Sequence, residues 1–173
     1  SRQTIKYAKN QKLIFNTTKP FMDKFERSLL NLYQLIYLVP HNARPAYERL
    51  QILTRCFLDK CFIAEVYKDD SVLSSALILI SGNAGFYYLA GTSKEGRKLG
   101  SSYLLLWEVI LTLKSMGIEW FDLEGLEDKR FMISRGWDKF SVFKRKWGGV
   151  EIVYPPSLVF ASKPLLGLLS PLV

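Results

Sequence analysis

The chain has 173 residues, which is enough for one domain with a sizeable core and too few for two. Its composition, 49% hydrophobic and 23% charged with no low-complexity tract, excludes a disordered or fibrous protein. The net charge of +8 favours a polyanionic partner, and two cysteines with one histidine exclude a disulfide framework and a common zinc pattern, so we expect no metal site.

The first third of the sequence predicts one strand followed by two helices. Alternation over residues 12–18 indicates a strand, and apolar residues at helical spacing over residues 21–38, beginning with Phe21, indicate an amphipathic helix. Val39-Pro40 ends that helix, because proline disfavours the helical conformation of the residue before it. A second helix is predicted over residues 46–58.

The middle of the chain is rich in β-branched and aromatic residues. Residues 61–68, 72–81 and 85–91 are predicted to form three consecutive strands joined by tight turns, and hence an antiparallel meander. A polar loop over residues 92–102 and a helix over residues 102–116 follow.

The last third predicts three more strands. A fifth strand is expected over residues 118–125, in a buried position because its start is apolar. A short helical or irregular segment near residues 129–137 precedes two strands, "FSVFKRKW" and "VEIVY", which hinge at Gly148-Gly149 as a hairpin. Residues 1–156 are therefore interpreted as a single domain, and residues 157–173 as an apolar docking tail that is too interrupted to span a membrane.

This order of elements is similar to that of the GNAT acyltransferase fold. The expected class is α/β (α+β), with a mixed, mostly antiparallel sheet of about seven strands flanked by helices. In that fold the fourth and fifth strands diverge beside the helix that follows the loop, and a cleft opens between them.

The loop "RKLGSS" is a candidate phosphate site. It contains Arg97, Gly100, Ser101 and Ser102 in an R-x-x-G-x-S pattern directly before a long helix. Glycine permits close approach of the backbone to a ligand, and the first free N–H groups of a helix attract anions. An ordinary helix start with Ser102 as its N-cap explains the same residues.

Three further positions are candidates for acyl-transfer chemistry. Asp122 ends the fifth strand, where a carboxylate could act as a general base or could simply tie down the following loop. Lys144 interrupts an apolar run and either reaches a cleft or lies along the surface. One of Tyr87 and Tyr88 is expected to line the cleft while the other packs.

Charge is concentrated near the end of the chain. Residues 129–146 contain seven cations against the single anion Asp138. Such a patch suits nucleic acid, a nucleotide diphosphate or an acidic membrane face, whereas the alternative is a solvated surface. His41 is expected to face solvent, and Cys56 and Cys61 to behave as small apolar side chains in a reducing compartment.

Specific motifs over roughly residues 85–154 resemble one family. "FYYLAGTSKEGRKLGSSYLLLWEVILTLKSMGIEWFDLEG" followed by "FSVFKRKWGGVEIVY" is similar to the second GNAT-like half of the Fem-type (FemABX) aminoacyltransferases, and the opening "SRQTIKYAKNQKLIF" is similar to the start of that half. A branch described broadly as GNAT acetyltransferase-like has the same skeleton. Family members carry two such halves and often a helical hairpin that grips tRNA. One half is present here, and the first residue is Ser, so we expect a fragment of a longer protein that is inactive alone.

The resemblance implies that the chain transfers an amino acid from aminoacyl-tRNA, without a cofactor, to an amine on the stem peptide of a peptidoglycan precursor. The expected place is the cytoplasm or the inner face of the membrane. Phe143 and Lys144 match the family's F-K pair, whose lysine would stabilise an oxyanion or hold the terminal adenosine of the tRNA. Arg145 and Lys146 would contact phosphates. The candidates for acceptor residues near the second helix are Arg44 and Tyr47.

Three functions remain open at this point. The first is Fem-type aminoacyl transfer to a cell-wall precursor, which the cationic "FKRKWGG" segment favours. The second is N-acyl transfer from acyl-CoA, with "RKLGSS" holding the pyrophosphate. The third is a catalytically silent GNAT-like half that binds a second half or another protein through its basic patch and apolar tail.

Overall fold

A mixed sheet of five strands organises the part of the chain that the computed structural model describes, which is residues 1–37, 45–130, 134 and 136–155. The strand order along the sheet is the order in the sequence. The strands are β1 (Ile14–Thr18), β2 (Cys61–Lys68), β3 (Ser71–Ser81), β4 (Ala84–Thr92) and β5 (Trp120–Asp122).

The three strands β2, β3 and β4 form the predicted antiparallel meander. β1 pairs with β2 in the antiparallel direction, and β5 pairs with β4 in parallel. A parallel pair requires a crossover, because the chain must return to the same end of the sheet before it adds the next strand. The crossover here contains two helices, α4 (Lys94–Leu99) and α5 (Ser101–Ser115).

Helices cover both faces of the sheet. One face is covered by α5 and by an N-terminal helix, α1 (Arg2–Asn10), and the other by α2 (Phe25–Tyr37) and α3 (Tyr47–Phe57). The last helix, α6 (Asp138–Arg145), follows β5. The class is thus the predicted one, a sheet of mixed direction flanked by helices.

Strand alternation divides the core into two layers. Along β2, Phe62, Ala64 and Val66 face α5, whereas Cys61 and Ile63 face α2. Because both faces are covered, β2 and β3 are buried on both sides and read as nearly continuous apolar runs. Each fully buried aliphatic side chain stabilises the fold by about 1.5–3 kcal/mol.

The first two helices differ from the sequence-based expectation. α1 was not predicted, since only Ala8 among its nine residues is buried and its composition is polar. The helix predicted from residue 21 begins at Phe25. Phe21 has a positive φ of 73° and is 82% exposed, so its assignment to the inner stripe was wrong. The reason is the turn after Pro20, where the Met22 N–H bonds to the Lys19 carbonyl before the helix starts.

The loop and the strand on either side of α5 also differ. The segment predicted as an open loop over residues 92–102 contains the helix α4. The predicted buried strand over residues 118–125 forms only three strand residues, and Trp120 in it is 68% exposed. β5 lies at the edge of the sheet, so an apolar run alone did not indicate burial.

The predicted C-terminal hairpin was wrong. "FSVFKRKW" is mostly the helix α6, and Gly148 adopts a φ of +76° just after it, as glycine commonly does where a helix ends. Residues 150–155 form no strand, and Val150, Ile152 and Val153 are exposed. The described sheet therefore has five strands, not about seven.

Parts of the predictions lie outside the described residues. These are the end of the first long helix and the connector with His41 and Arg44, most of the segment near residues 131–135, and the docking tail from residue 157. The boundary at residue 156 stays a prediction. Within the described ranges, we find no helix with both the length and the apolar character needed to cross a membrane.

Candidate active site

β4 and β5 diverge after a short paired stretch, at the place where the cleft is expected. β5 pairs with β4 only from Ala84 opposite Trp120 to Phe86 opposite Asp122, whereas β4 continues to Thr92. The carboxyl end of β5 therefore separates from the last six residues of β4. Openings at the carboxyl ends of parallel strands are common ligand sites in α/β folds.

A β-bulge in β4 lies at the start of this opening. Ile78 of β3 pairs with Tyr87 and the preceding Leu77 pairs with Leu89, so Tyr88 is the extra residue. Bulges increase local twist and are frequent beside active sites. The bulge therefore lies directly after Phe86, the last residue of β4 that pairs with β5.

The two tyrosines have different surroundings. Tyr87 packs edge-on against Phe121 of β5, with ring centroids 6.3 Å apart, and burial raises the pKa of its phenol. Tyr88 is 38% exposed. Of the pair, Tyr87 is the packing residue and Tyr88 is the one accessible from solvent.

The corner between β4 and α5 is tightly built. The Ser93 hydroxyl accepts a bond from the Gly96 N–H and caps α4. Gly96 lies so close to β3 that an added Cβ would be 2.4 Å from the Leu73 carbonyl oxygen. Gly100 then adopts a φ of +69° and serves both as the C-cap of α4 and as the N-cap of α5.

The residues predicted to bind phosphate all lie at this corner, but their surroundings differ. Arg97 donates to the Thr92 carbonyl at 2.7 Å, and the Ser102 hydroxyl bonds to that of Thr92 at 2.9 Å. The Ser101 hydroxyl is buried and has no partner among the described residues. Gly100 faces α1, where an added Cβ would be 2.9 Å from Thr4, so α1 covers this side of the turn.

Asp122, Glu124 and Lys144 come together at the end of β5. The Glu124 N–H donates to Asp122 Oδ1 at 2.6 Å, which fixes Glu124 at a φ of +64°. Lys144 Nζ donates to the Gly125 carbonyl at 2.6 Å. Asp122 thus does tie down its loop, and the predicted catalytic residues Lys144 and Asp122 are neighbours.

Burial and charge have opposite effects on the pKa values within this cluster. Burial raises the pKa of Glu124, as does the nearby Asp122 carboxylate, while the Lys144 ammonium opposes both. Burial lowers the pKa of Lys144, and the charges of Glu124 and Asp122 oppose it. A carboxylate with a raised pKa beside a partly desolvated ammonium group is an arrangement suited to proton transfer.

Helical geometry in α6 explains how Lys144 reaches this place. Ser141 and Lys144 are three residues apart on one face of the helix. The Ser141 hydroxyl accepts the Glu127 N–H at 2.7 Å, and the ring of Trp137, just before the helix, packs on Gly125. These contacts hold the segment after β5 against α6.

A second face of α6 docks on α5. Phe143 and Trp147, four residues apart, both pack on Tyr103, with ring centroids 5.0 and 6.1 Å away. The predicted catalytic residue Phe143 is therefore a packing residue that positions the helix carrying Lys144. The two-residue period of a strand does not group the residues of either face of α6, because residues on one face of a helix are three or four positions apart.

The remaining predicted residues are not brought to this cluster. Arg145 forms a two-bond ion pair with Glu151, and Lys146 is exposed. Tyr47 packs on Tyr33 and bonds to Glu26 on the opposite face of the sheet from α5. Arg44 lies outside the described residues. No group of three metal-ligating side chains occurs in the described part of the chain.

Three residues that form or support this cluster were not predicted from the sequence, namely Glu124, Ser141 and Tyr103. The sequence predicts a solvated Glu124, and its side chain is indeed exposed, but it also lies beside Asp122 and Lys144. Its signal was the Asp-x-Glu spacing, which permits the turn that Asp122 makes. Ser141 and Tyr103 are recognisable only once residues 138–145 are read with a helical period.

Comparison with known proteins identifies the family. The sequence profile described as the acetyltransferase (GNAT) domain matches residues 41–131, just over half of the chain. The chain belongs to the GNAT acetyltransferase family. No curated protein sequence matches it.

Solved GNAT structures share the fold at low sequence identity. An aminoglycoside acetyltransferase from an uncultured soil metagenomic sample has a TM-score of 0.60 at 12% identity, over 89% of this chain and 99% of that one. The C-terminal domain of a putative lysylphosphatidylglycerol synthetase from Agrobacterium fabrum has a TM-score of 0.59 at 17% identity, over 82% and 49%. The ribosomal-protein-S18-alanine N-acetyltransferase from Escherichia coli has a TM-score of 0.56 at 7% identity, over 78% and 76%.

Proposed function

We propose that this GNAT domain transfers an aminoacyl group from an aminoacyl-tRNA ester to an amine, as part of a Fem-type enzyme acting on a peptidoglycan precursor. The observation that carries the proposal is the cluster of Lys144, Glu124 and Asp122 at the end of β5, beside the cleft. It supplies an ammonium group and a carboxylate with a raised pKa at one place.

The cluster suits attack of an amine on an ester. The amine nitrogen forms a bond to the carbonyl carbon, and the electron pair of the carbonyl moves to oxygen. Lys144 stabilises this oxyanion while Glu124 takes the proton of the attacking amine. The oxyanion then re-forms the carbonyl as the C–O bond to the ribose breaks, and Glu124 gives the proton it took to the leaving ribose oxygen, so that an amide replaces the ester.

Two features favour an aminoacyl ester over a CoA thioester as the donor. Gly100, the glycine of the phosphate loop, lies against α1, and Arg97 is folded back onto the Thr92 carbonyl. To bind a pyrophosphate, the backbone at Gly100 would have to be uncovered, and the Arg97 side chain would have to leave the Thr92 carbonyl. The charge of +8 also suits a long polyanion.

An acyl-CoA donor is the second candidate. The Arg97-x-x-Gly100-x-Ser102 pattern stands directly before α5, and the matched domain is described as an acetyltransferase. In this case Arg97 would swing away from Thr92 to meet a phosphate. The cluster at the end of β5 would serve the same chemistry with a thiolate as leaving group.

A donor screen on the chain and on the full-length protein tests the proposal. We expect amide formation with charged tRNA and an amine acceptor, and Lys144→Met to reduce the transfer rate at least about a hundredfold, the usual effect of losing an oxyanion donor. Lys114→Met is the matched control, since Lys114 is an exposed cation on α5, outside the basic segment 129–146.

The outcomes separate the candidates. Turnover with acyl-CoA alone would replace the first candidate by the second. No turnover with either donor in a folded full-length protein would indicate a silent half that binds a partner. Full activity of Lys144→Met would contradict the role of Lys144 with either donor.

A further inference from the structure

A polar cavity lies away from the cleft, between α2 and the edge formed by β1 and the β2–β3 hairpin. Its volume is about 650 Å³, within the range of small-molecule sites. It shares none of the cleft residues described above. α2 contributes one wall and the hairpin residues 69–72 contribute another.

One face of α2 is polar where it meets this cavity. Arg27, Ser28, Asn31 and Gln34 of α2 recur at helical spacing and line the cavity, beside the apolar stripe that packs on the sheet. Lys24, just before the helix, lines it as well. A polar face of a helix usually meets bulk water. Here it meets a concave space whose other wall is also polar.

The floor of the cavity is fixed by a buried carboxylate. Glu65 is 0% exposed, and it accepts hydrogen bonds from the Ser28 hydroxyl at 2.6 Å, the Asn31 amide at 3.1 Å and the Tyr67 hydroxyl at 2.5 Å. These three donors all line the cavity. Their bonds to Glu65 lock their orientation, so the floor is preorganised.

Two further hydroxyls extend the polar layer. Since Ser28 gives its proton to Glu65, the Thr18 hydroxyl donates to Ser28 at 3.2 Å. Ser75 pairs with Glu65 across β2 and β3 and is fully buried, yet its hydroxyl has no partner within the described ranges. Buried polar groups cost free energy to maintain, and a layer of them facing a cavity is typical of a binding site.

Charges of opposite sign stand at the mouth. Lys24 and Arg27 are exposed cations on the helix wall, and Asp69 and Asp70 are exposed anions on the hairpin wall. A ligand that carries only one sign of charge would meet repulsion from one wall. A ligand with both signs, joined by a hydrogen-bonding body, would match both walls and the floor.

We propose that this cavity binds a small zwitterion, with an anionic group at Lys24 and Arg27, an ammonium group at Asp69 and Asp70, and a hydroxyl- or amide-rich body on the floor held by Glu65. Short peptides and phosphorylated amino sugars both have this chemistry. The site is independent of the donor used in the cleft.

Binding is tested by calorimetric titration of the folded chain with four probes. Glycyl-glutamine and glucosamine 6-phosphate are zwitterions with an amide-rich and a hydroxyl-rich body. Ethanolamine carries only the ammonium group, and glycerol 3-phosphate carries only the anion. We expect one of the zwitterions to bind at least tenfold more tightly than either singly charged probe. The zwitterion that binds more tightly shows whether the ligand is a short peptide or a phosphorylated amino sugar.

Variants at the mouth locate the site. Arg27→Gln and Asp70→Asn are exposed changes that we expect to weaken binding of the zwitterion at least tenfold each. Arg49→Gln and Asp59→Asn, outside the cavity, are the matched controls and should change the affinity less than twofold. Absence of zwitterion binding, equal binding of a singly charged probe, or unchanged affinity in both mouth variants would overturn the proposal.

Discussion

Cys56 and Cys61 are five residues apart and have opposite surroundings. Cys56 is exposed on α3, whereas Cys61 is fully buried at the start of β2. Burial, and secondarily the charge of Asp59, raises the pKa of the Cys61 thiol to about 11. Since the thiolate is the nucleophile, the two thiols should differ strongly in reactivity.

We predict that iodoacetamide at pH 8 adds one group to the folded chain, at Cys56. Cys61 should react at least about a hundredfold more slowly, and at a normal rate only after unfolding, because burial suppresses its thiolate. Mass spectrometry of proteolytic fragments measures both sites. In Cys56→Ser the folded chain should take up no label. Comparable labelling of both cysteines in the folded state would contradict the structure.

The identity of Lys144 as a candidate could be obtained from the sequence, because a lysine within an apolar run needs a partner wherever the run packs. The partners of Lys144 could not be obtained from the sequence. Glu124 and the Gly125 carbonyl meet Lys144 through a turn fixed by Asp122 and a helix fixed by Ser141, and neither contact is encoded by spacing along the chain. The type of a residue shows that its side chain needs a partner, whereas only the tertiary structure shows which partner it has.

Among the elements, α2 lies very close to β4 at Gly91. An added Cβ on Gly91 would be 2.7 Å from the Leu35 Cβ and 2.8 Å from its carbonyl carbon, so there is no room for a side chain between helix and strand. Leu35 also lines the polar cavity. The same turn of helix therefore touches both the cavity and the strand that borders the cleft.

We predict that Gly91→Ala destabilises the fold by about 1–3 kcal/mol, because the contact is with backbone and the helix must move away. Urea denaturation followed by circular dichroism measures the change. Gly149→Ala is the matched control, since an added Cβ there meets nothing within 4 Å, and its effect should be within about 0.5 kcal/mol. Equal stability of the two variants would show that α2 does not lie on β4 as described.

The element that sequence reasoning placed in the wrong class is α6. "FSVFKRKW" is aromatic and predicts a strand, but a period of two leaves neither face cleanly polar. With a helical period, Ser141 and Lys144 face the β5 loop while Phe143 and Trp147 face Tyr103. An inconsistent two-residue pattern was itself the available signal for a helix.

At the scale of the whole molecule, three titratable groups resist ionisation, which are the buried thiol of Cys61 and the partly buried phenols of Tyr67 and Tyr87. Burial is the largest cause of the raised pKa values of Cys61, Tyr67 and Tyr87, and a hydrogen bond to Glu65 contributes at Tyr67. When the folded-state pKa is raised, the folded state retains protons that the unfolded state releases. The free energy of unfolding must then fall as the pH rises above the unfolded-state pKa.

We predict a loss of stability in alkali that begins near pH 9 and steepens above pH 10. Between pH 9 and 11 Cys61 should account for up to about 2–3 kcal/mol, at 1.36 kcal/mol per pKa unit, and the two tyrosines add to the decline above pH 10. Urea denaturation at a series of pH values measures it. Cys61→Ala should remove the decline between pH 9 and 10, whatever it does to stability at neutral pH. A flat profile up to pH 11 would contradict the burial of these groups.

The fold as a whole could be predicted from the sequence, because the type and order of its helices and strands are encoded by local residue patterns. The antiparallel meander of β2, β3 and β4 and the long helix that follows it could be predicted from turn residues and period. The number of strands was not accessible in the same way, since "VEIVY" has strand composition but no neighbouring strand to pair with among the described residues. Strand propensity has its effect only when a partner edge is present.

Gly100 joins the carboxyl end of α4 to the amino end of α5 at a single residue. The partial negative charge of one helix end therefore abuts the partial positive charge of the other, and the two fields largely cancel. An anion at this corner would be attracted mainly by the side chains of Arg97 and Lys98 in the last turn of α4. Because both cations are exposed, that attraction should weaken steeply with ionic strength.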